Sequence, residues 1–156
     1  MNVPMRREDR RLSTDETYAL LAEAEYGVLS TVCPDGVPYG LPMSFALEDG
    51  NLYMHCTNEG GQKIINIRHG GEACFTVVGH TRVMPESFGT RYMSAMAYGR
   101  VGIVGDASER RRGLLALLRK YSPEYMEQGL KYLAAAEGKV DVLKFVVEHV
   151  TGKGRR

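Results

Sequence analysis

The sequence has few cysteines, almost no excess charge and no long apolar run, and each shortage removes a class of function. Cys33, Cys56 and Cys74 are odd in number and widely spaced, so they form neither a disulfide framework nor a CxxC metal knuckle. The N-terminal residues lack the apolar core of a secretory signal, and no run approaches membrane-spanning length. With free thiols, this points to a reducing cytoplasm. Twenty Lys and Arg against nineteen Asp and Glu leave a net charge of +1, too little to hold nucleic acid or an anionic membrane. Arg6, Arg7, Arg10 and Arg11 do cluster, but Glu8, Asp9, Asp15 and Glu16 dilute them. No GxGxxG follows a strand and no GxSxG elbow is present, which argues against a Rossmann dinucleotide site and a serine hydrolase. His55, Cys56, Cys74 and His80 lack any zinc-ligand spacing, so no metal is expected.

What is present suits one globular domain over residues 1–156, of ordinary apolar content and long enough for a real core. Residues 1–12 read as a polar arm lying on the surface or on a partner subunit, and residues 151–156 as a basic tail. Ser13 with Glu16 three residues on is a capping box that opens a helix ending near Glu25. Strand-like runs follow at Tyr26 to Val32, Val37 to Leu47 and Leu52 to Cys56, joined by turns at Pro34-Asp35-Gly36 and Glu48-Asp49-Gly50-Asn51. Pro38 and Pro42 mark the second run as an edge, a bulge or a bend. A helix from Gly61 to His69 crosses to a fourth strand, Glu72 to Val78. Residues 79–90 read as a long connection to a fifth strand, Arg91 to Val104. Asp106 caps a helix with Leu114, Leu115, Leu117, Leu118 and Tyr121 on its apolar face, and Arg110, Arg111 and Arg112 read as a solvated face. Ser122-Pro123 restarts a helix to about Glu137, and Lys139 to Val150 is a sixth strand. Six antiparallel strands without βαβ rhythm predict an α+β barrel with flanking helices.

The most informative stretch is Leu52 to Arg68. A strand ending at Cys56-Thr57 turns through Gly60-Gly61 into a helix with Ile64, Ile65 and Ile67 able to share a buried side. Backbone N–H groups at the start of that helix, with its dipole, favour an anion, phosphate above all. Lys63 adds a charge and the Thr57 hydroxyl a donor. The alternative is an ordinary strand–turn–helix with a solvated lysine.

Taken in order, Ala24-Glu25-Tyr26-Gly27-Val28-Leu29-Ser30-Thr31, Asp35-Gly36 with Pro38-Tyr39-Gly40 and Pro42, Leu52-Tyr53-Met54-His55-Cys56 with Gly61-Gln62-Lys63, Cys74-Phe75-Thr76-Val77-Val78-Gly79, Arg91-Tyr92 with Ser94 and Gly99, and His149 with Thr151-Gly152-Lys153 resemble the FMN-binding split barrels related to pyridoxamine 5′-phosphate oxidase. Within these the chain is similar to the 5-nitroimidazole reductase-like branch. The resemblance implies a six-stranded split barrel binding FMN in a homodimer, with the flavin at the interface and a small-molecule substrate. It implies that the Pro42 and Met43 backbone runs past the flavin ring. Cys56 and Thr57 would lie beside the ribityl chain and phosphate, with Gly61, Gln62 and Lys63 at the phosphate. Ser94 would approach from the second subunit, and His55 would face the substrate as proton donor or positioning group. Tyr39, Tyr92 and Tyr98 read as barrel and interface residues. The oxidases carry a second basic residue where this chain has Gln62, and close their sites with a C-terminal segment bearing Trp and Arg. This sequence has no tryptophan and ends soon after the last strand, so the resemblance favours reduction of a nitroaromatic or other small acceptor over pyridoxamine-phosphate oxidation. Related split barrels leave three further readings open: a non-catalytic flavin carrier, a haem protein, or a deazaflavin protein.

Overall fold

The computed structural model describes residues 4–136 and 138–156. Residues 1–3 of the expected arm and Glu137, where the last helix is expected to end, lie outside the described residues. The elements are α1 (Thr14–Glu23), β1 (Tyr26–Val32), β2 (Pro38–Ser44), β3 (Ala46–Glu48), β4 (Asn51–Thr57), α2 (Gln62–His69), β5 (Glu72–Met84), β6 (Gly89–Ile103), α3 (Ala107–Tyr121), α4 (Met126–Ala135) and β7 (Val140–Arg155). All strands belong to one antiparallel sheet in the order β2-β1-β5-β6-β7-β4-β3.

The order explains the shape. β2 and β3 are the two ends of the sheet, yet only Phe45 separates them in the chain. A flat sheet cannot join its own edges through one residue, so the sheet curls into a half-barrel around a core of Phe45, Phe75 and Phe145. The sequence predicts six strands and the structure has seven among its described residues. The run from Val37 to Leu47 is continuous in β propensity but changes partner at Phe45, pairing first with β1 and then with β4. Pro38 and Pro42 sit on β2, which pairs only with β1, the edge position that a missing N–H tolerates.

Two further segments differ from expectation. Residues 79–90 are a hairpin rather than a long loop. β5 continues to Met84 after a bulge between Gly79 and Arg82, turns at Pro85–Ser87, and returns as β6. His80 at the bulge takes φ +52°, the kind of local departure that lets a polar stretch stay in the ladder. The basic tail is also a strand: Thr151 to Arg155 pair with Met96 to Tyr92. Gly152 is required there, since a Cβ would run into Thr17 and Leu12. The described end of the arm packs on its own chain, with Leu12 buried and its N–H donating to the Gly152 carbonyl at 3.0 Å.

Helix starts follow the capping residues. Ser13 and Glu16 form the capping box of α1, and Asp106 accepts from the Glu109 N–H at α3. After Ser122 the chain makes one 3-10 turn, Pro123–Tyr125, before α4 begins. On α2, Ile64 and Ile67 are buried while Ile65 faces solvent. The polar Asn66 takes the remaining inward position.

Candidate functional site

Strand alternation sends Leu29, Phe75 and Ala97 inward, and their neighbours outward onto a face that no helix covers. The register builds that face in rows. Pro42, Val28, Thr76, Met96 and Thr151 lie side by side across five strands. Next to them run Gly40, Ser30, Cys74, Tyr98 and His149, the last two stacked with ring centroids 6.0 Å apart. On the opposite side Val78, Ser94 and Lys153 are aligned, with the Ser94 hydroxyl donating to the Lys153 carbonyl. Tyr26, Val28, Val32 and Val78 leave apolar surface exposed here, as an interface would. The structure thus brings Pro42 and Ser94 onto one open face, while Met43 turns the other way into the core.

The glycine turn links β4 to α2, and α2 is held to β1 through Asn66 and Thr31. Gly60 and Gly61 take φ of +91° and +105°, which bring the chain from β4 into α2 with open space around both. Gly61 is the N-cap and supplies no side chain to α2, so the first N–H groups keep their capacity to donate. Lys63 is half-buried in the first turn, and none of the ion pairs among the described residues involves it. Its charge reaches Cys56: burial pushes that thiol up from its ordinary value, and Lys63 partly opposes the rise. Thr57 is exposed at the end of β4. Thr57, Gly61 and Lys63 thus belong to one strand–turn–helix segment in which the Lys63 charge reaches back to Cys56.

Gln62 is engaged differently. Its amide donates to Asn66 Oδ1 at 2.7 Å and approaches Cys33 Sγ at 3.5 Å, while buried Asn66 donates to Thr31 Oγ1 at 3.0 Å. This chain of contacts fixes the start of α2 against the end of β1 and sets the direction of its N–H groups. Sequence reasoning missed Asn66, Thr31 and Cys33, although an asparagine between Ile64 and Ile67 on an apolar helix face was a usable signal.

His55 occupies the opposite side of β4 from Cys56. It lines a cleft of about 300 Å³ between β4 and the α3–α4 pair, with Ser44, Tyr121, Ser122 and Tyr132 as the other polar groups. Ser44 is two residues beyond Pro42 on the same side of β2, so the cleft adjoins the open face. On its wall, Tyr121 accepts from the Phe45 N–H, and its one O–H proton lies within reach of both the Glu25 and the Phe45 carbonyl oxygens. Lys120 donates to the Ala24 carbonyl at 2.7 Å with its ammonium 3.9 Å from the Phe45 ring centre, and burial pulls its pKa from 10.5 to about 8. Among the described residues no group of three or more His, Cys, Asp or Glu could hold a metal, and no helix is long and apolar enough to cross a membrane.

The arrangement offers a helix start without a side-chain cap, an open strip of sheet and an apolar cleft with one imidazole. Residues 13–154 match the family described as pyridoxamine 5′-phosphate oxidase. Among solved structures the chain is similar to a candidate 5-nitroimidazole antibiotic resistance protein from Bacteroides thetaiotaomicron. The two are 25% identical with a TM-score of 0.75, covering 92% of this chain and 86% of that one. A conserved hypothetical protein from Mycobacterium tuberculosis shares the fold at 19% identity and TM-score 0.83, with 98% and 91% covered. So does an FAD-binding protein from Mesorhizobium loti at 22% identity and TM-score 0.68, with 94% and 98% covered. No curated protein matches the chain.

Proposed function

The chain belongs to the pyridoxamine 5′-phosphate oxidase family, and from that premise we propose that it is an FMN-binding oxidoreductase that reduces a small acceptor, of the nitroaromatic class, as a homodimer. The observation that carries this reading is the uncapped start of α2 with Lys63 in its first turn, in a chain that also leaves open a sheet face bearing Pro42 and Ser94. A phosphate fits the donors there, and a planar ring fits the strip of small and apolar groups along β1 and β2. That face is open in one chain, and a second copy would bury it and bring its own Ser94 near the ring. The similarity to a candidate 5-nitroimidazole resistance protein supports the choice of acceptor.

Bound flavin supplies the electron and hydride chemistry. The chain's residues do the rest. Lys63 and the first N–H groups of α2 offset the phosphate charge. The Gln62–Asn66–Thr31 contacts keep those donors aimed. The backbone at Pro42 and Met43 would orient the ring edge. His55 would hold a proton at the mouth of the cleft, within reach of an acceptor bound against Leu117 and Tyr132, and the apolar walls would exclude water from that position.

A charge-assisted phosphate contact is worth roughly 1.5–3 kcal/mol. Lys63→Ala should therefore weaken FMN binding about ten- to a hundredfold. Riboflavin, which lacks the phosphate, should bind both proteins about equally. Titrating apoprotein with each flavin is the test. Equal FMN affinity in the two proteins would make Lys63 a surface lysine and remove the site from α2. Tight FMN binding without reduction of any nitroaromatic would leave a flavin carrier in place of an enzyme.

A further inference from the structure

The cleft that holds His55 continues beyond it. Its walls Leu114, Leu133 and Val140 also line an adjoining cleft of about 390 Å³, and we read the two as halves of one groove between the α3–α4 pair and the start of β7. His55 stands in one half and Arg110 and Arg111 in the other. The sequence reads these arginines as a solvated face, and the structure corrects that for Arg110: its Nε is buried and has no hydrogen-bond partner among the described residues. Neither Arg110 nor Arg111 joins any ion pair among the described residues, whereas Arg112, next along the helix, pairs with Asp49 and Glu109. At the start of α3, Asp106 already accepts from the Glu109 N–H and the Ser108 hydroxyl, so the charged groups this half of the groove offers are the two guanidiniums. The two guanidinium groups line the groove with charge that no carboxylate offsets among the described residues, and an anion entering the groove would offset it. The remaining walls are mainly Ala107, Leu114, Leu133, Ala134 and Val140. Such walls suit a monoanion, whose desolvation is cheaper than that of a dianion, and a carboxylate matches the planar fork of arginine.

We propose that the groove takes an acceptor of two parts, an aromatic head at His55 and a carboxylate tail between Arg110 and Arg111. This rests on the reading of the His55 cleft as the acceptor site, and it names the class of acceptor: an aromatic acid rather than a neutral aromatic. Selectivity then comes from the tail, far from the reacting group, which leaves the head free to vary.

The test compares para-nitrophenylbutanoate with its uncharged primary amide by calorimetric titration of the full, FMN-loaded chain without reductant, so that binding is read apart from turnover. The wild type should bind the acid roughly tenfold or more tightly than the amide. Arg110→Gln and Arg111→Gln should each bring that ratio towards one while FMN affinity stays at the wild-type value. Arg111 is exposed, so its variant remains informative even where loss of the half-buried Arg110 disturbs folding. A wild-type ratio of one, or a ratio that neither substitution changes, overturns the proposal. A preserved preference for the acid in a protein that reduces no nitroaromatic upholds the groove and sinks the catalytic reading. Reduction of nitroaromatics with a ratio of one sinks the groove alone.

Discussion

At the scale of single residues, His55 and Lys120 make opposite uses of burial. His55 lines a cleft and remains exposed, so its loss should be felt in chemistry before stability. His55→Ala should keep FMN affinity and lower nitroaromatic turnover by roughly a hundred- to ten-thousandfold, the usual worth of a positioned acid or base. Unchanged turnover with a lower melting temperature would make His55 a structural group. Lys120 is half-buried between Phe45 and the Ala24 carbonyl, and the partial loss of water lowers its pKa from 10.5 to about 8. Between those values the unfolded chain holds a proton that the native chain has released. The native state therefore gains stability as pH rises through that window, and the buried charge weighs against it most fully below pH 8. Melting temperatures of the wild type and Lys120→Met from about pH 7 upward should show the wild type gaining on the variant as the lysine titrates. A constant difference would mean that Lys120 keeps its proton throughout.

At the scale of elements, the joint at Phe45 decides the fold, because there the chain leaves one edge of the sheet and enters the other. The Tyr121 hydroxyl holds that joint by accepting from the Phe45 N–H, and its one proton lies within reach of the Phe45 carbonyl and of the Glu25 carbonyl between α1 and β1. Tyr121→Phe strands a backbone N–H and should cost about 1–3 kcal/mol in urea unfolding. A loss within about 0.5 kcal/mol would show that water takes over the contact. The joint also marks the limit of what the sequence reveals. Helix α1 is legible because Ser13 and Glu16 act within one turn, and α2 because Gly60-Gly61 breaks a clear strand. β2 and β3 read as one run because alternation passes through Phe45 unbroken and only distant partners divide it. Thr151 to Arg155 has poor strand propensity in isolation and becomes a strand because β6 offers it a ladder. The site divides in the same way. Lys63 and its glycine turn are local and visible, whereas the Asn66–Thr31 contact and the Arg110–Arg111 groove join residues from separate elements.

For the whole molecule, the uncovered face is decisive. A single chain leaves Tyr26, Val28, Val32 and Val78 in water, and on the proposed reading a second copy laid on this face would bury them and enclose a ring there. The homodimer and the flavin are thus one claim, and sedimentation velocity recorded at both protein and visible flavin absorbance tests it directly. The account predicts that FMN co-sediments with a dimer at micromolar protein. A protein that sediments as a monomer, with the yellow colour left behind as free flavin, would contradict it.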